Sequence, residues 1–228
     1  MIVELHSHSC HSFDCILRPI DIIHIAHRRG LDAIAITDHD TCAGSLKAQR
    51  VNPYPDLTVI VAAEINTRAG DIIGLFISGE IRSREAMDVI DEIHSQGGIA
   101  VLPHPFKSHK LTDPIIRAVD VIEAFNGRTS PQQNRQAADL ARQFGKPVVC
   151  GSDAHLEFEI GRCRNVLAGP DLRQSVLSGA QEMLTKPTLR YSEYLSQIIK
   201  IHKLRQYGRI PRKLLSLMAR SFKPRSGP

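Results

Sequence analysis

The sequence predicts an α/β protein, a closed or nearly closed barrel of strands and helices followed by a basic, mainly helical C-terminal extension. Two patterns predict the barrel. Apolar, β-branched runs alternate with helical periodicity over residues 1–190, and this alternation is typical of βαβ units. Polar residues of the metal-binding type follow almost every predicted strand. The charge distribution predicts a second unit, the extension over residues 191–228.

Seven strands are predicted, and most are continuous apolar runs, as expected for parallel strands covered on both faces. They span residues 2–5, 33–36, 58–62, 71–77, 99–102, 119–124 and 147–150. Helical patterns occupy residues 19–30, 83–96, 130–144 and 171–179. The first of them opens on Pro19 and ends at Gly30, which is the preferred arrangement at helix ends. No GxGxxG or Walker pattern supports an open nucleotide-binding sheet, so the strand count favours a barrel.

Composition excludes several other classes of protein. With 228 residues, of which 42% are hydrophobic and 23% charged, the chain has enough apolar material for one large core. No run approaches the roughly 18 apolar residues of a membrane span, and the first residues enter a strand pattern without a signal peptide. The five cysteines form no CxxC pair, so we expect reduced thiols and a cytoplasmic protein.

Charge is distributed unevenly along the chain. Nine basic residues and no acidic residue follow position 193, so of the net charge of +5 the first 193 residues carry −4. The basic residues are Lys200, Lys203, Arg205, Arg209, Arg212, Lys213, Arg220, Lys223 and Arg225. The segment is either a solvated helical face or a patch that contacts nucleic acid or an anionic membrane surface. Because aromatic residues are only 5% and Trp is missing, a base-stacking surface is disfavoured.

Histidines and carboxylates follow the predicted strands. His6-Ser7-His8 comes after the first strand, Asp38-His39 after the second, and Asp153-Ala154-His155 after the last. In a parallel barrel all carboxyl ends of the strands open onto one face. We therefore expect residues up to 150 positions apart to meet at one rim.

The residue types at this rim predict divalent metal ions. Two histidines two residues apart leave the same side of a strand and can chelate one ion. Imidazole and carboxylate without thiolate suit Zn²⁺, Mn²⁺ or Fe²⁺. The candidate ligands are His6, His8, Asp14, His39, Glu64, His104, Asp153 and His155. Eight ligands exceed the need of one ion, so the set predicts two or three ions bridged by a carboxylate such as Glu64.

The same motifs resemble the polymerase and histidinol phosphatase (PHP) superfamily. The resemblance runs from residue 1 to about 167 and is carried by His6-x-His8, Ser12-Phe13-Asp14, Thr37-Asp38-His39, Glu64, His104-Pro105-Phe106, Gly151-Ser152-Asp153-Ala154-His155 and Phe158-Glu159-Ile160-Gly161. It implies a distorted, TIM-like (β/α)₇ barrel and a trinuclear metal centre that hydrolyses phosphoesters.

By this resemblance the ligands divide among three ions. His6, His8, Glu64 and Asp153 would hold the first ion, Glu64 and His104 the second, and Asp14, His39 and His155 the third. Two positions depart from the family pattern. Asp71 stands where many members have a further histidine ligand for the second ion, and the Ser-Asp pair is shifted to Ser12-Phe13-Asp14.

The expected reaction is hydrolysis of a phosphomonoester or a short phosphodiester by hydroxide generated from metal-bound water. His155 or Asp153 would pass a proton to the leaving oxygen, and Arg162 and Asn126 would hold the phosphate or the leaving group. Because the predicted connections are short, we expect an open mouth that suits a nucleotide or an oligonucleotide end better than an enclosed small metabolite.

Two other functions fit parts of the pattern. A metal-dependent amidohydrolase or deaminase also uses HxH and a late aspartate on a barrel, but usually has an eighth strand and a bridging lysine. A non-catalytic module would keep metal for stability and be recruited by its basic tail. The sequence leaves the substrate, the metal and the oligomeric state open.

Overall fold

The computed structural model describes residues 1–189 and 191–205, so the part of the basic extension from residue 206 onward lies outside the described residues. In the described residues one nine-stranded sheet forms the framework, with the strand order β7-β6-β5-β4-β3-β2-β1-β8-β9. The strands are β1 (Ile2–Glu4), β2 (Ala33–Ile36), β3 (Thr58–Thr67), β4 (Gly70–Leu75), β5 (Ile99–Leu102), β6 (Val121–Asn126), β7 (Val148–Gly151), β8 (Arg164–Val166) and β9 (Glu182–Leu184).

The sheet contains two parallel blocks separated by one reversed strand. Strands β1 to β3 are parallel, as are β5 to β7, whereas β4 is antiparallel to both its neighbours. The register pairs Thr67 with Gly70, leaving a two-residue turn between β3 and β4, and so short a connection can join only antiparallel strands. The amino end of β4, with Asp71, therefore lies at the same rim as the carboxyl ends of the parallel strands.

The barrel closes without a continuous ladder between β1 and β7. Beyond the two strand ends, the backbone of Ala154 bonds to His6 and His8. Below this point the buried side chain of Asn165 accepts from the Cys150 amide at 2.7 Å. The same side chain donates to the carbonyls of Cys150 and Val3 at 2.8 and 3.2 Å. The Asn165 side chain and the backbone bridge at Ala154 thus join β1 to β7 in place of a continuous ladder, and the predicted α/β barrel-like fold is confirmed.

Helices pack on the outside of the sheet. In the described residues they are α1 (Pro19–Arg28), α2 (Ala43–Val51), α3 (Ala86–Ser95), α4 (Asp113–Ala118), α5 (Pro131–Phe144), α6 (Leu172–Ser178) and α7 (Ser192–Lys203). Helix α5 begins with a capping box between Ser130 and Gln133 and ends at Gly145 in the left-handed region, as its sequence predicts. Helices α2 and α4 and the antiparallel strands β8 and β9 were not predicted, because each is short or weakly periodic.

Apolar packing has two layers. One set of strand residues, including Val3, Ala33, Ile60, Val101 and Val121, forms a single cluster from across the sheet and fills the barrel interior. Alternate residues such as Ile34, Val59 and Ile122 pack against the helices instead, which follows from the two-residue side-chain period of strands. Across the two described ranges, no helix has both the length and the hydropathy that crossing a membrane requires.

Candidate metal centre

One carboxylate, Glu64, lies at the centre of a group of imidazoles at the rim. It is 1% exposed and sits inside β3, two residues beyond the end of the predicted strand. Its Oε2 lies 3.5 Å from the Nε2 atoms of both His6 and His8 and 3.2 Å from His39 Nδ1. Its Oε1 lies 2.9 Å from His104 Nε2. Four histidines from three different connections therefore converge on a single side chain.

Asp153 completes what we call the inner group, which consists of Glu64, His6, His8, His104 and Asp153. Its Oδ1 lies 3.4 Å from His8 Nε2 and 3.8 Å from His6 Nε2. Both Asp153 and His104 have positive φ, at 53° and 28°, a conformation that is costly outside glycine. Such strain is characteristic of functional sites, where the surrounding structure enforces it.

The remaining ligand candidates form what we call the outer corner, which consists of Asp14, His39 and His155. The Asp14 carboxylate lies between the two rings, with Oδ1 3.3 Å from His155 Nε2 and Oδ2 3.5 Å from His39 Nε2. His8 connects the corner to the inner group, because its ring centroid is 4.2 Å from that of His155. Asp71 lies on the opposite side, where its carboxylate, Glu64 and His104 offer ligand atoms within 4.8 Å of one another.

These side chains fit a metal centre by a direct criterion. Within the described residues, five buried atoms at the centre have no hydrogen-bond partner: His6 Nε2, His8 Nε2, Asp14 Oδ1, Glu64 Oε2 and His104 Nδ1. Leaving a buried polar atom unsatisfied costs about 1–3 kcal/mol, and five in one place require an explanation. Bound cations would supply it, because each orphaned atom is a metal ligand type. Four overlapping triads at the rim bring their ligand atoms within 4.8 Å.

Electrostatics keeps the two central carboxylates and His8 in the forms that bind metal. Against the effect of burial, neighbouring carboxylates such as Glu64 raise the pKa of His6 well above its usual range and that of His39 to about 9, so these two rings would release a proton when an ion binds. Although burial opposes ionisation, His6 and His39 hold the pKa of Glu64 well below its usual range. Burial likewise opposes ionisation of Asp153, but Lys107 and His6 hold its pKa well below normal. Burial, together with the neighbouring His155, lowers the pKa of His8 to about 3. The carboxylates are therefore charged and His8 is neutral at pH 7, as coordination requires.

Glu123 supports the inner group from below, and sequence reasoning missed it. This carboxylate, 2% exposed, accepts hydrogen bonds from His6 Nδ1 at 2.9 Å, the His104 amide at 2.8 Å and the Asn126 side chain at 2.9 Å. Its bond to Nδ1 assigns the proton there and leaves Nε2 of His6 free to ligate. The available signal was a glutamate in the middle of the apolar run of β6.

Asp38 and Ser12 support His8 and His39. The Ser12 hydroxyl donates to Asp38 at 2.7 Å and accepts from the His39 amide at 3.0 Å, with His8 Nδ1 at 3.2 Å. Gly44 must remain glycine beside them, because a Cβ there would lie 1.9 Å from Asp38 Oδ2. His155 is oriented through its own loop, since Nδ1 donates to the Asp153 carbonyl at 2.9 Å.

The two residues predicted to contact substrate, Asn126 and Arg162, have different surroundings. Asn126 lies at the centre, with Nδ2 3.4 Å from Asp153 Oδ2. Arg162 instead donates to the Pro187 carbonyl at 2.7 Å, so its observed partner belongs to the segment before α7. Lys107, which the sequence analysis did not select, places Nζ 3.2 Å from Asp153 Oδ2 while 44% of its side chain stays exposed. Its signal was a cation directly after His104-Pro105-Phe106.

The histidines of helices α1 and α3 lie away from the centre, in agreement with the sequence analysis. His24 and His27 contact Tyr54, and His94 bonds to Asp120. His109 borders the centre, because its Nε2 lies 3.0 Å from the Asp71 carbonyl. All five cysteines are free thiols, four of them buried.

A rim of histidines and carboxylates on an α/β barrel defines a class of metal-binding barrel proteins, and comparison with known families specifies which one. The PHP domain family matches residues 4–112, and the PHP-associated family matches residues 131–182. An uncharacterized protein of Methanocaldococcus jannaschii is 30% identical over 146 residues, which cover 55% of this chain and 82% of that protein. This chain belongs to the PHP family.

Further relatives carry more specific names. A 5′-3′ exoribonuclease of Haemophilus influenzae is 36% identical over 76 residues, which cover 32% of this chain and 27% of that protein. A two-domain protein of Bacteroides vulgatus with a predicted PHP-like metal-dependent phosphoesterase superposes with a TM-score of 0.61 at 20% identity, covering 71% of this chain and 54% of that one. The lesion-specific endonuclease EndoQ of Pyrococcus furiosus gives a TM-score of 0.58 at 15% identity, covering 78% and 55%. The chain thus spans about half the length of these two structures, and the likeness to them concerns the fold.

Proposed function

We propose that this protein is a metal-dependent phosphoesterase that hydrolyses a phosphomonoester or a short phosphodiester. The observation that carries the proposal is the buried Glu64 carboxylate surrounded by four imidazoles, with buried ligand atoms of His6, His8 and Glu64 left without a hydrogen-bond partner. Membership of the PHP family, and relatives named as a phosphoesterase and nucleases, support this reaction class. Amide hydrolysis stays the alternative, because a structural neighbour from Chromobacterium violaceum is named an amidohydrolase.

Two or three divalent ions, Zn²⁺, Mn²⁺ or Fe²⁺, would be held by the ligand groups. His6, His8, Glu64 and Asp153 form one group, and Glu64, His104 and Asp71 form a second. The outer corner forms the third. When bound, such ions lower the pKa of water and neutralise phosphate oxygens. The three ligand groups share Glu64 or contact His8, which holds them in one cluster.

Residues of the chain supply the remaining functions. Lys107 extends from the loop after β5 across Asp153, and its exposed stem lets the ammonium meet a phosphate at the mouth. A fixed cation stabilises the charge that redistributes over the phosphoryl oxygens in the transition state. Asn126 offers an amide at the same carboxylate. His155 or Asp153 would carry the proton to the leaving oxygen, and Arg162, whose guanidinium is held by Pro187, is a weaker candidate for phosphate binding than Lys107.

A nucleotide or the end of an oligonucleotide is the favoured substrate. The names of the exoribonuclease and the endonuclease support it, as does the excess of basic residues after position 193. That extension would contact nucleic acid, or alternatively an anionic membrane surface, through its positive charge. Five free thiols favour a reducing compartment, and we place the protein in the cytoplasm on that basis.

The proposal is tested by a turnover screen of metal-loaded protein on nucleotides, sugar phosphates, 5′-phosphorylated oligonucleotides and a panel of amides. Hydrolysis of a phosphoester, lost after chelation and restored by Mn²⁺ or Zn²⁺, is the expected result. Activity on amides alone, or on nothing while ions bind, would contradict it.

Lys107 has a matched control in its own loop. Lys107→Met should raise KM or lower kcat by one to two orders of magnitude, because a charge directed at the phosphate is lost. Lys110→Met removes an exposed lysine three residues away and should change neither. Equal behaviour of the two variants would remove Lys107 from the site.

A further inference from the structure

Helix α7 lies outside both segments that match the PHP families, which cover residues 4–112 and 131–182. Its last turn nevertheless contacts the loop that carries Asp14. The Lys203 ammonium donates to the carbonyls of Cys10, Ser12 and Cys15 at 2.7, 2.5 and 3.1 Å. An ammonium has three N–H donors, so its whole capacity is spent on the one loop that carries Asp14.

A second lysine, one turn earlier, contacts the same loop. Lys200 Nζ lies 4.0 Å from the centroid of the Phe13 ring, in cation–π geometry. The Phe13 ring also stacks on His39, with centroids 4.7 Å apart and ring planes at 6°. Lys200 thus contacts the residue immediately before Asp14, and Lys203 contacts the backbone on both sides of Asp14. Through Phe13, Lys200 also acts on His39, a second member of the outer corner.

His155, the third member of the outer corner, is connected to α7 through the buried guanidinium of Arg128. Arg128 donates from Nη1 to the Ser196 hydroxyl at 2.9 Å and from Nη2 to Glu159 Oε2 at 2.7 Å. The same Glu159 oxygen accepts from the His155 amide at 2.9 Å. Helix α7 therefore reaches each of the three connections that form the outer corner.

We propose that α7 is a clamp on the outer corner and that Lys203 is its positioning residue. The clamp holds the Asp14 carboxylate between His39 and His155, and so determines how tightly the corner binds a divalent cation. The inner group, whose ligands rest on strands and on Glu123, does not depend on it. This inference deepens the proposed function, because it rests on the metal binding assumed there.

The test is a Mn²⁺ titration of the metal-free full-length protein, in which the free ion is measured by its electron paramagnetic resonance signal. Asp14→Asn identifies the binding class that belongs to the corner. Lys203→Met keeps the stem and removes the ammonium, and should weaken that class alone by about tenfold or more, the size of a lost supporting contact. Lys203→Arg restores donors to the carbonyls and should recover part of the loss.

The matched control is Lys47→Met, the same substitution at an exposed site on α2, and it should titrate like the unmodified protein. The clamp is overturned if Lys203→Met matches this control, or if it weakens every class equally. It is also overturned if Asp14→Asn leaves the titration unchanged. Mn²⁺ binding as expected, with no turnover of any phosphoester, would contradict the proposed function while the clamp stands.

Discussion

The inner group and the outer corner hold the same kinds of ligand by different means. Glu64 belongs to β3, His6 follows β1 closely, and both are 1% exposed. In the corner, His39 is 18% and Asp14 10% exposed, and Asp14 lies ten residues past the end of β1. Strands position the inner ligands through the sheet itself, whereas loops position the corner through side-chain contacts and α7. The comparison teaches that the two parts of one centre can differ in rigidity and in metal affinity.

The largest effect should come from the side chain that both parts share. Glu64→Gln keeps the shape but removes the charge at the point where four imidazoles meet. We expect phosphoester turnover to fall by more than about a thousandfold, beyond the loss of a single transition-state contact, and metal content to drop. Steady-state kinetics with elemental analysis measure both. Retention of metal and turnover would show that Glu64 does not bridge the two parts.

The framework under the inner group depends on Asn165. Asn165→Leu leaves the Cys150 amide and the carbonyls of Cys150 and Val3 without their partner. The expected loss is about 2–4 kcal/mol in the free energy of unfolding, since buried polar groups become unsatisfied. Urea unfolding of the metal-loaded protein measures it. Gln181→Leu, an exposed amide replaced in the same way, should have little effect. Equal losses of unfolding free energy in the two variants would contradict a structural role of Asn165 between β1 and β7.

A substitution at Glu123, with a smaller expected effect, distinguishes the inner group from the outer corner. Glu123→Gln weakens the acceptor for His6 Nδ1 without touching the outer corner. The affinity of the inner ions should fall about 10- to 100-fold, as for other groups that orient a ligand, while the corner keeps its affinity. The Mn²⁺ titration used for Lys203 resolves the two. Glu157→Gln, on the 3₁₀ turn after β7, is the control, and a loss confined to the corner would refute the assignment.

The smallest effect concerns thiol reactivity. Burial raises the pKa of Cys15 and of Cys163 to about 12 and that of Cys42 to about 11, and burial also raises the pKa of Cys150. Reaction requires the thiolate, so iodoacetamide at pH 7.5 should label the half-buried Cys10 ahead of the other four, as read by mass spectrometry.

The same iodoacetamide labelling, repeated after metal removal, compares the outer corner with the strands. Cys15 lies next to Asp14 on the loop of the outer corner and donates to the carbonyls of His8 and His155. Cys150 instead lies in β7. A chelator should therefore speed the labelling of Cys15 before that of Cys150. The reverse order would mean that the corner is the more rigid part.

Much of this centre was predictable because its ligands are chemically distinctive and follow strands. His6, His8, His39, His104, Asp153 and His155 come directly after apolar runs, and parallel topology brings such positions to one rim. Asp71 was placed by family resemblance, and the reason it reaches the rim is the β3–β4 hairpin. The residues that support the ligands could not be distinguished in the same way; they are Glu123, Asp38 and Glu4, which accepts from the His6 amide at 3.2 Å. Glu4 shows why, since its buried carboxylate, with a pKa raised to about 7 by burial, accepts from the distant Ser152 and Gly161.

The sequence by itself determined the α/β class, the alternation of elements and the types of ligand, because periodicity and residue chemistry are local properties. Tertiary structure alone decided that β4 is reversed, that Asn165 closes the barrel, and that Lys203 meets a loop some 190 residues earlier in the chain. Those contacts join residues far apart in sequence, and no local pattern marks a carbonyl or an amide as their partner.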